Sequence, residues 1–243
     1  QSKFDKRGLP VAAMLLVLTG LLVFQKALVD RPVLYRRVRI AFLVVTLVWL
    51  GWFAGAQLSV VNVLTFSHAL MGDFAWTSFL AEPLIFILWA YTAVAMLFLA
   101  RGVFCGWLCP FGALQELANR IARLFRIPQV TVPFGLHERL WPIKYVIFLA
   151  LFALSLTSMT DAFVAAEVEP FKTAISMHFI REWPFVAYAV ALVVASLFIN
   201  RFFCRYLCPL GAALAIPARL RMFDWLKRHP QCGRECQDRK SVV

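Results

Sequence analysis

Charged side chains are scarce in this sequence: Asp, Glu, Lys and Arg make up 16% of its 243 residues, where a soluble domain carries about 25%. With a hydrophobic share of 62% and a mean hydropathy of +0.76, that scarcity excludes one soluble core, because so short a chain cannot hide so much apolar surface. Lipid is the natural solvent for it. The first apolar run lacks a small-residue cleavage site, so it reads as a membrane span rather than a signal peptide. Acids are also few, 13 against 25 Lys and Arg, giving a formal charge of +12. No helix-turn-helix or basic DNA-reading element accompanies that charge, and the basic residues fall in the gaps between apolar runs, as membrane topology requires. Direct DNA binding is therefore not expected.

Apolar runs at about 9–24, 40–57, 83–100, 143–159 and 184–199 approach or reach the roughly 17–25 residues that cross a bilayer. The fold class read from them is an all-α polytopic membrane protein with about five transmembrane helices. Lys and Arg are absent from 59–82, and 161–182 sets four acids against Lys172 and Arg181. The other connections carry Arg31, Arg36, Arg37 and Arg39, then Arg101, Arg120, Arg123 and Arg126, then Arg201, Arg205 and Arg219. Basic loops face the cytoplasm. The expectation is a bacterial inner-membrane protein with a cytoplasmic C-terminus and an external N-terminus. Lys3, Lys6 and Arg7 fit an external position if a longer domain precedes them, since long domains translocate regardless of charge. Residues 1–8 then read as the end of that external domain, 9–210 as the transmembrane domain and 211–243 as a cytoplasmic tail.

The chain has an internal parallel repeat, at about 83–126 and 184–225. Phe-Cys-Gly-Trp-Leu-Cys-Pro at 104–110 matches Phe-Cys-Arg-Tyr-Leu-Cys-Pro at 203–209, and Gly112-Ala113 matches Gly211-Ala212. Each motif follows a span entering from outside, so Cys105, Cys109, Cys204 and Cys208 are placed on the cytoplasmic side at one depth. Proline favours the first helical position, which puts Cys109 and Cys208 at helix N-caps, where free N–H groups and the helix dipole stabilise a thiolate. Beyond Pro110, the 3–4 spacing of Phe111, Leu114, Ala118, Ile121 and Phe125, with Gln115, Asn119, Arg120 and Arg123 opposite, reads as an amphipathic helix in the membrane interface. Unreactive buried thiols and structural disulfides are alternatives, but the repeat argues against the first and a reducing cytoplasm against the second. Redox work or metal ligation remains. Four cysteines suit an iron–sulfur cluster or zinc, and the spacing does not choose between them.

Cys232 and Cys236 resemble the opening of a ferredoxin-type site, yet none of residues 238–243 is cysteine, so this iron–sulfur site is incomplete as it stands. All six cysteines map to one side, which counts against a thiol carrier or metal transporter working across the membrane.

The strings Cys-Gly-Trp-Leu-Cys-Pro-Phe-Gly-Ala-Leu-Gln-Glu-Leu (105–117) and Cys-Arg-Tyr-Leu-Cys-Pro-Leu-Gly-Ala (204–212) resemble the NosR/NapH family of membrane polyferredoxins, over about residues 8–236. The resemblance implies an electron wire: an external domain binding flavin (FMN), a membrane segment with two such motifs, and a cytoplasmic domain with two [4Fe–4S] clusters. It implies association with nitrous oxide reductase, its maturation proteins and expression of its gene cluster, with the quinol pool as a further partner. A redox-sensing signalling role and a quinol dehydrogenase component of another respiratory chain are the alternatives. This chain contains no flavin domain and two of the expected ferredoxin cysteines.

Glu82 and Glu169, each beside a proline at the expected outer edge, are candidates for a quinol or proton site, with an ordinary helix-start acid as the plain alternative. His68 and His178 read as surface loop residues. Trp76, Trp141 and Trp183 read as interfacial anchors, and Lys144 as a side chain snorkelling to the surface.

Overall fold

The computed structural model describes residues 2–24, 28, 30–55, 57–71, 83–99, 103–130 and 132–216. Among them every regular element is helical. Helix α1 (Ser2–Val23) is followed by α2 (Pro32–Val45), whose opening proline sacrifices no useful N–H. At Thr46 α2 widens into π-helical turns, Thr46–Phe53, which stop at Gly55 with φ +63°. Next come α3 (Val60–Met71) and α4 (Pro83–Leu99). A π turn at Phe104–Leu108 leads into α5 (Pro110–Leu124). Helix α6 (Phe134–Leu140) runs through a turn into α7 (Ile143–Thr157), followed by α8 (Met159–Ala165). A 3₁₀ turn at Ala166–Val168 and a π turn at Lys172–Ser176 precede α9 (Trp183–Phe198), α10 (Phe202–Tyr206) and α11 (Pro209–Ala215).

The two repeats interlock. Helix α5 of the first repeat packs along α9 of the second, and α11 packs against α7 and α3. Asn119 on α5 donates to the carbonyls of Ser196 and Leu197 at 3.0 and 3.1 Å, satisfying acceptors that the end of α9 leaves free. Between the repeats the rings of Phe111, Phe171 and Phe203 meet at 5.5 to 5.7 Å, all fully buried or nearly so. The π-helical turns of 46–53 rest on the start of α5: a Cβ at Gly51 would lie 2.8 Å from the Cβ of Pro110. Glycine is the residue that permits this approach.

Helix α5 departs from the interfacial reading. Its polar residues Gln115, Glu116 and Asn119 are buried, whereas Ile121, Leu124 and Phe125 face outward. There Glu116 meets charged partners and Asn119 meets open carbonyls, whereas the Gln115 amide is buried without a partner. Lys144 also departs: it is 7% exposed, with its ammonium 5.3 Å from the ring centres of Trp141 and Tyr145 instead of reaching the surface.

Among the described residues one helix, Phe134–Thr157, is long and apolar enough to cross a bilayer, and Pro10–Val23, Ile85–Met96 and Trp183–Phe198 are apolar but shorter. Leu16, Leu124, Val146, Leu149, Val164 and Ile180 project from the bundle as exposed apolar side chains.

Replacing Gly51 with Ala is expected to lower stability by about 1–3 kcal/mol, the usual cost of overpacking. Thermal unfolding in detergent measures it. An unchanged midpoint would mean that the backbone of 46–53 parts freely from Pro110.

Candidate thiol centre

Both second cysteines stand where the Cys-Pro pair directs them. Cys109 (φ −75°, ψ 111°) and Cys208 (φ −70°, ψ 109°) are extended residues capping α5 and α11, each followed by proline. Their sulfurs accept hydrogen bonds from the backbone N–H of Gly112 at 3.4 Å and of Gly211 at 3.3 Å. The N-cap expectation holds at both sites. Their surroundings differ from expectation, because the motifs lie inside the helix bundle instead of at an exposed face. Cys109 and Cys208 are buried and Cys105 and Cys204 half-buried, all as free thiols.

The sulfurs communicate across the repeats. The Cys204 thiol hydrogen-bonds Cys109, and the fields of Cys105, Cys109 and Glu169 all reach Cys208. That bond from Cys204, with support from the Gly112 N–H, the Gln57 amide and the charge of Arg201, lowers the Cys109 thiol to about 7 against the effect of burial. Its partner Cys204 is raised, by the same bond and by burial, and burial raises Cys208 as well. The arrangement therefore favours one thiolate, at Cys109, shared with a protonated neighbour from the other repeat.

A charged cluster fixes this junction. Arg201, in the left-handed region at φ 54°, donates to the carbonyls of Cys105 at 2.7 Å and Gly106 at 3.1 Å, and to Glu116 at 2.5 Å. Arg39 grips the same carboxylate with two bonds of 3.0 Å, and Arg120 adds one of 2.6 Å. Burial pushes the Glu116 carboxyl up, but the three guanidiniums outweigh it and hold it at about 2. Arg39 also lies 5.3 Å over the Trp107 ring of the first motif.

Glu169 is displaced from its expected place. It is 4% exposed, and it stands well ahead of α9, whose N-cap is Glu182. Its carboxylate accepts from Ser59 Oγ at 2.5 Å, from Val60 N–H at 3.0 and 3.2 Å, and from the Leu210 N–H. It thus caps α3 and α11 together, one residue beyond Pro209. Burial raises it to about 7 despite these bonds. Gln57 likewise comes from a segment assigned to the outer side, and its Nε2 donates to Cys109 Sγ at 3.6 Å. Neither Gln57 nor Glu116 stood out in the sequence. For Gln57 the signal was there, as a polar residue closing an otherwise apolar run; Glu116 sits among the polar residues of an amphipathic pattern and had none of its own. Glu82, Cys232, Cys236, Arg101 and Trp76 lie outside the described residues, as does the His68 side chain, while the His178 Nε2–H donates to the Trp52 carbonyl at 3.2 Å.

Four soft sulfurs, two of them at helix N-termini and one of those, Cys109, under the charge of Arg201, are the donor chemistry that an iron–sulfur cluster uses. Among the described residues, however, no three His, Cys, Asp or Glu side chains already stand as a closed metal cage. The donor set fits a cluster; closure would require the thiols to turn toward one another.

The sequence model of a family described as a 4Fe-4S binding domain matches residues 82–128 and 182–231. These stretches contain both Cys-Pro motifs and stop before Cys232. Protein NirI of Paracoccus denitrificans is 61% identical over 227 residues, 93% of this chain and 33% of that protein. Regulatory protein NosR of Pseudomonas aeruginosa is 62% identical over 223 residues, 92% of this chain and 31% of that protein. This chain belongs to the NosR/NirI-like family. The regulatory protein NosR of Stutzerimonas stutzeri is 56% identical over 227 residues, covering 93% of this chain and 31% of its own length. The chain thus spans about a third of the length of the curated relatives it matches. No solved structure matches it.

Removing the charge of Glu116 leaves three guanidiniums facing one another, so Glu116→Gln is expected to cost about 3–5 kcal/mol. The carboxyl is held below its ordinary value of 4.5, so its contribution is present above that pH and is lost as pH falls toward about 2. Thermal unfolding of both forms across that acid range checks the sign: the difference between them narrows on acidification, and a constant difference contradicts the assignment.

Proposed function

We propose that this chain is the membrane segment of an electron-transfer protein that supports nitrous oxide respiration. The four cysteines Cys105, Cys109, Cys204 and Cys208 act there as one redox centre. The observation that carries this reading is the joining of the two motifs by Arg201, three residues ahead of Cys204, which binds the carbonyls of Cys105 and Gly106 at 2.7 and 3.1 Å. Two independent thiol pairs would have no need of it. The match of an iron–sulfur family to both motif regions supports the same centre. A cluster bound there would supply one-electron chemistry at a potential set by charge, hydrogen bonds and burial. The chain's own residues supply those settings. The N–H groups of Gly112 and Gly211 and the dipoles of α5 and α11 offset negative charge on sulfur, Arg201 adds a full positive charge, and the surrounding aromatic core excludes water.

In this reading five spans place the N-terminus outside and the C-terminus in the cytoplasm of the bacterial inner membrane. The exposed apolar side chains and the apolar helices support a membrane setting, and the loop charges support its sidedness. The centre would connect cytoplasmic iron–sulfur sites, beginning at Cys232 and Cys236, or the quinol pool with a flavin on the outer side. The electron acceptor is nitrous oxide reductase or its maturation proteins. The relatives named regulatory proteins support a second reading, in which the same centre senses electron supply and governs expression.

Full-length protein purified without oxygen is expected to carry more iron and sulfide than a variant with Ser at 105, 109, 204 and 208. That variant is expected to lose electron delivery to nitrous oxide reductase. Equal iron content together with unimpaired delivery would remove the role given to these cysteines.

A further inference from the structure

Helix α2, with its π-helical continuation, meets α5 along a seam that carries far more positive than negative charge. The two segments run antiparallel: Gly51 approaches Pro110, whereas Arg39 binds Glu116. Residues ahead of Arg39 therefore lie alongside residues beyond Glu116. Arg36 stands one turn before Arg39, and Arg120 and Arg123 stand one and two turns after Glu116, so the helical repeat gathers them along the seam. Between 32 and 53 and between 110 and 124 the sequence has one acid, Glu116. Three guanidiniums, those of Arg39, Arg120 and Arg201, already share it. Arg36 and Arg123 are exposed, and among the described residues neither pairs with a carboxylate. Burial, with the fields of Arg39 and Arg123, lowers the Arg120 guanidinium although Glu116 opposes the shift, a sign of like charges crowded together. The carbonyl end of α5 adds a partial negative charge, which Arg123 in the last turn offsets. The excess favours an anion from outside the two helices.

The neighbouring surface says what carries that anion. Leu124 is 80% exposed, Phe125 74% and Ile121 56%. At 100° per residue Leu124 lies directly beside Arg120, with Ile121 and Phe125 further round, so an apolar stripe borders the arginines on the same helix. Exposed Val33 and Leu34 flank Arg36 on α2 in the same way. A free phosphate or a soluble acid satisfies the arginines and leaves the stripe in water. A lipid with a zwitterionic headgroup covers the stripe but brings its own cation to the guanidiniums. A lipid with a phosphate and net negative charge satisfies both, and guanidinium forks match phosphate oxygens two at a time.

We infer that the seam between α2 and the second half of α5 binds one anionic phospholipid, its phosphate held by Arg36, Arg120 and Arg123 and its chains lying along Ile121, Leu124 and Phe125. This is more than general solvation by a bilayer, because it selects headgroup charge at one place. It needs no assumption about what the cysteines hold. Since α5 begins at Cys109, the lipid braces the far end of the helix that carries the first motif.

The test uses the full-length protein in phosphatidylcholine nanodiscs with a trace of phosphatidylglycerol bearing a diazirine near the top of one chain, followed by peptide mapping. Label is expected in the peptide carrying 121–126, displaced by unlabelled phosphatidylglycerol and retained in excess phosphatidylcholine or inorganic phosphate. Each basic residue beside an anionic headgroup strengthens binding several-fold, so Arg36→Gln with Arg123→Gln is expected to cut labelling about tenfold or more, and lysine at both positions to restore part of it. Arg31→Gln with Arg37→Gln removes the same charge from exposed positions close by, and is expected to leave labelling within about twofold. Equal labelling of this peptide by a phosphatidylcholine probe, displacement by inorganic phosphate, or an equal loss in the two double glutamine variants would overturn the site.

Discussion

Arg201 precedes the second motif by three residues, yet its guanidinium serves the first. It binds the carbonyls of Cys105 and Gly106 and the carboxylate of Glu116, which Arg39 and Arg120 hold as well. The backbone of Arg201 takes a left-handed conformation to do so, at a cost of about 1–2 kcal/mol for a residue with a side chain. A buried charge cluster of this kind is a poor source of net stability but is hard to break at one member. Its effect is registry. It fixes α10 and α11 relative to the π turn of the first motif, and the Cys109–Cys204 contact depends on that registry.

From this constraint follows the character of the centre. Cys109 and Cys208 are buried in the core that contains Phe111, Phe171 and Phe203, so the electrostatic environment of these two sulfurs is made of fixed groups and not of water. Helix N-termini and amide donors stabilise thiolate charge without bringing a mobile cation to the sulfur. The unequal tendencies of Cys109 and Cys204, one toward thiolate and one toward thiol, arise because the repeat is parallel in sequence while its environment is not symmetric. Gln57 and Arg201 act on Cys109, and Glu169 acts on Cys208.

Local chemistry was legible in the sequence. The proline after each second cysteine announced an N-cap thiol at 109 and 208, because that depends on neighbouring residues alone. The all-helical class and the repeat were legible for the same reason. What escaped was set by contacts between distant segments. Amphipathic spacing in α5 identified two faces but not which one turns inward, and Glu116 and Asn119 turn inward because the arginines and α9 wait there. Loop charge assigned Gln57 and Glu169 to one side and the motifs to the other. A one-dimensional count of charges has no means of seeing segments fold back to meet. Lys144 escaped because a cation near a span start has two outlets, the surface or an aromatic pair, and the pair of Trp141 and Tyr145 lies close by in sequence.

The central claim is that the two repeats share one centre. The most direct measurement treats metal-free full-length protein, with Cys232 and Cys236 replaced by Ser, with a short thiol-bridging reagent that fluoresces when both of its arms have reacted. Proteolysis and mass spectrometry then identify the joined cysteines. The account predicts a link between the peptide carrying 105–109 and the peptide carrying 204–208, with Cys109 and Cys204 as the principal pair. Links confined within each motif, 105 to 109 and 204 to 208, would contradict it.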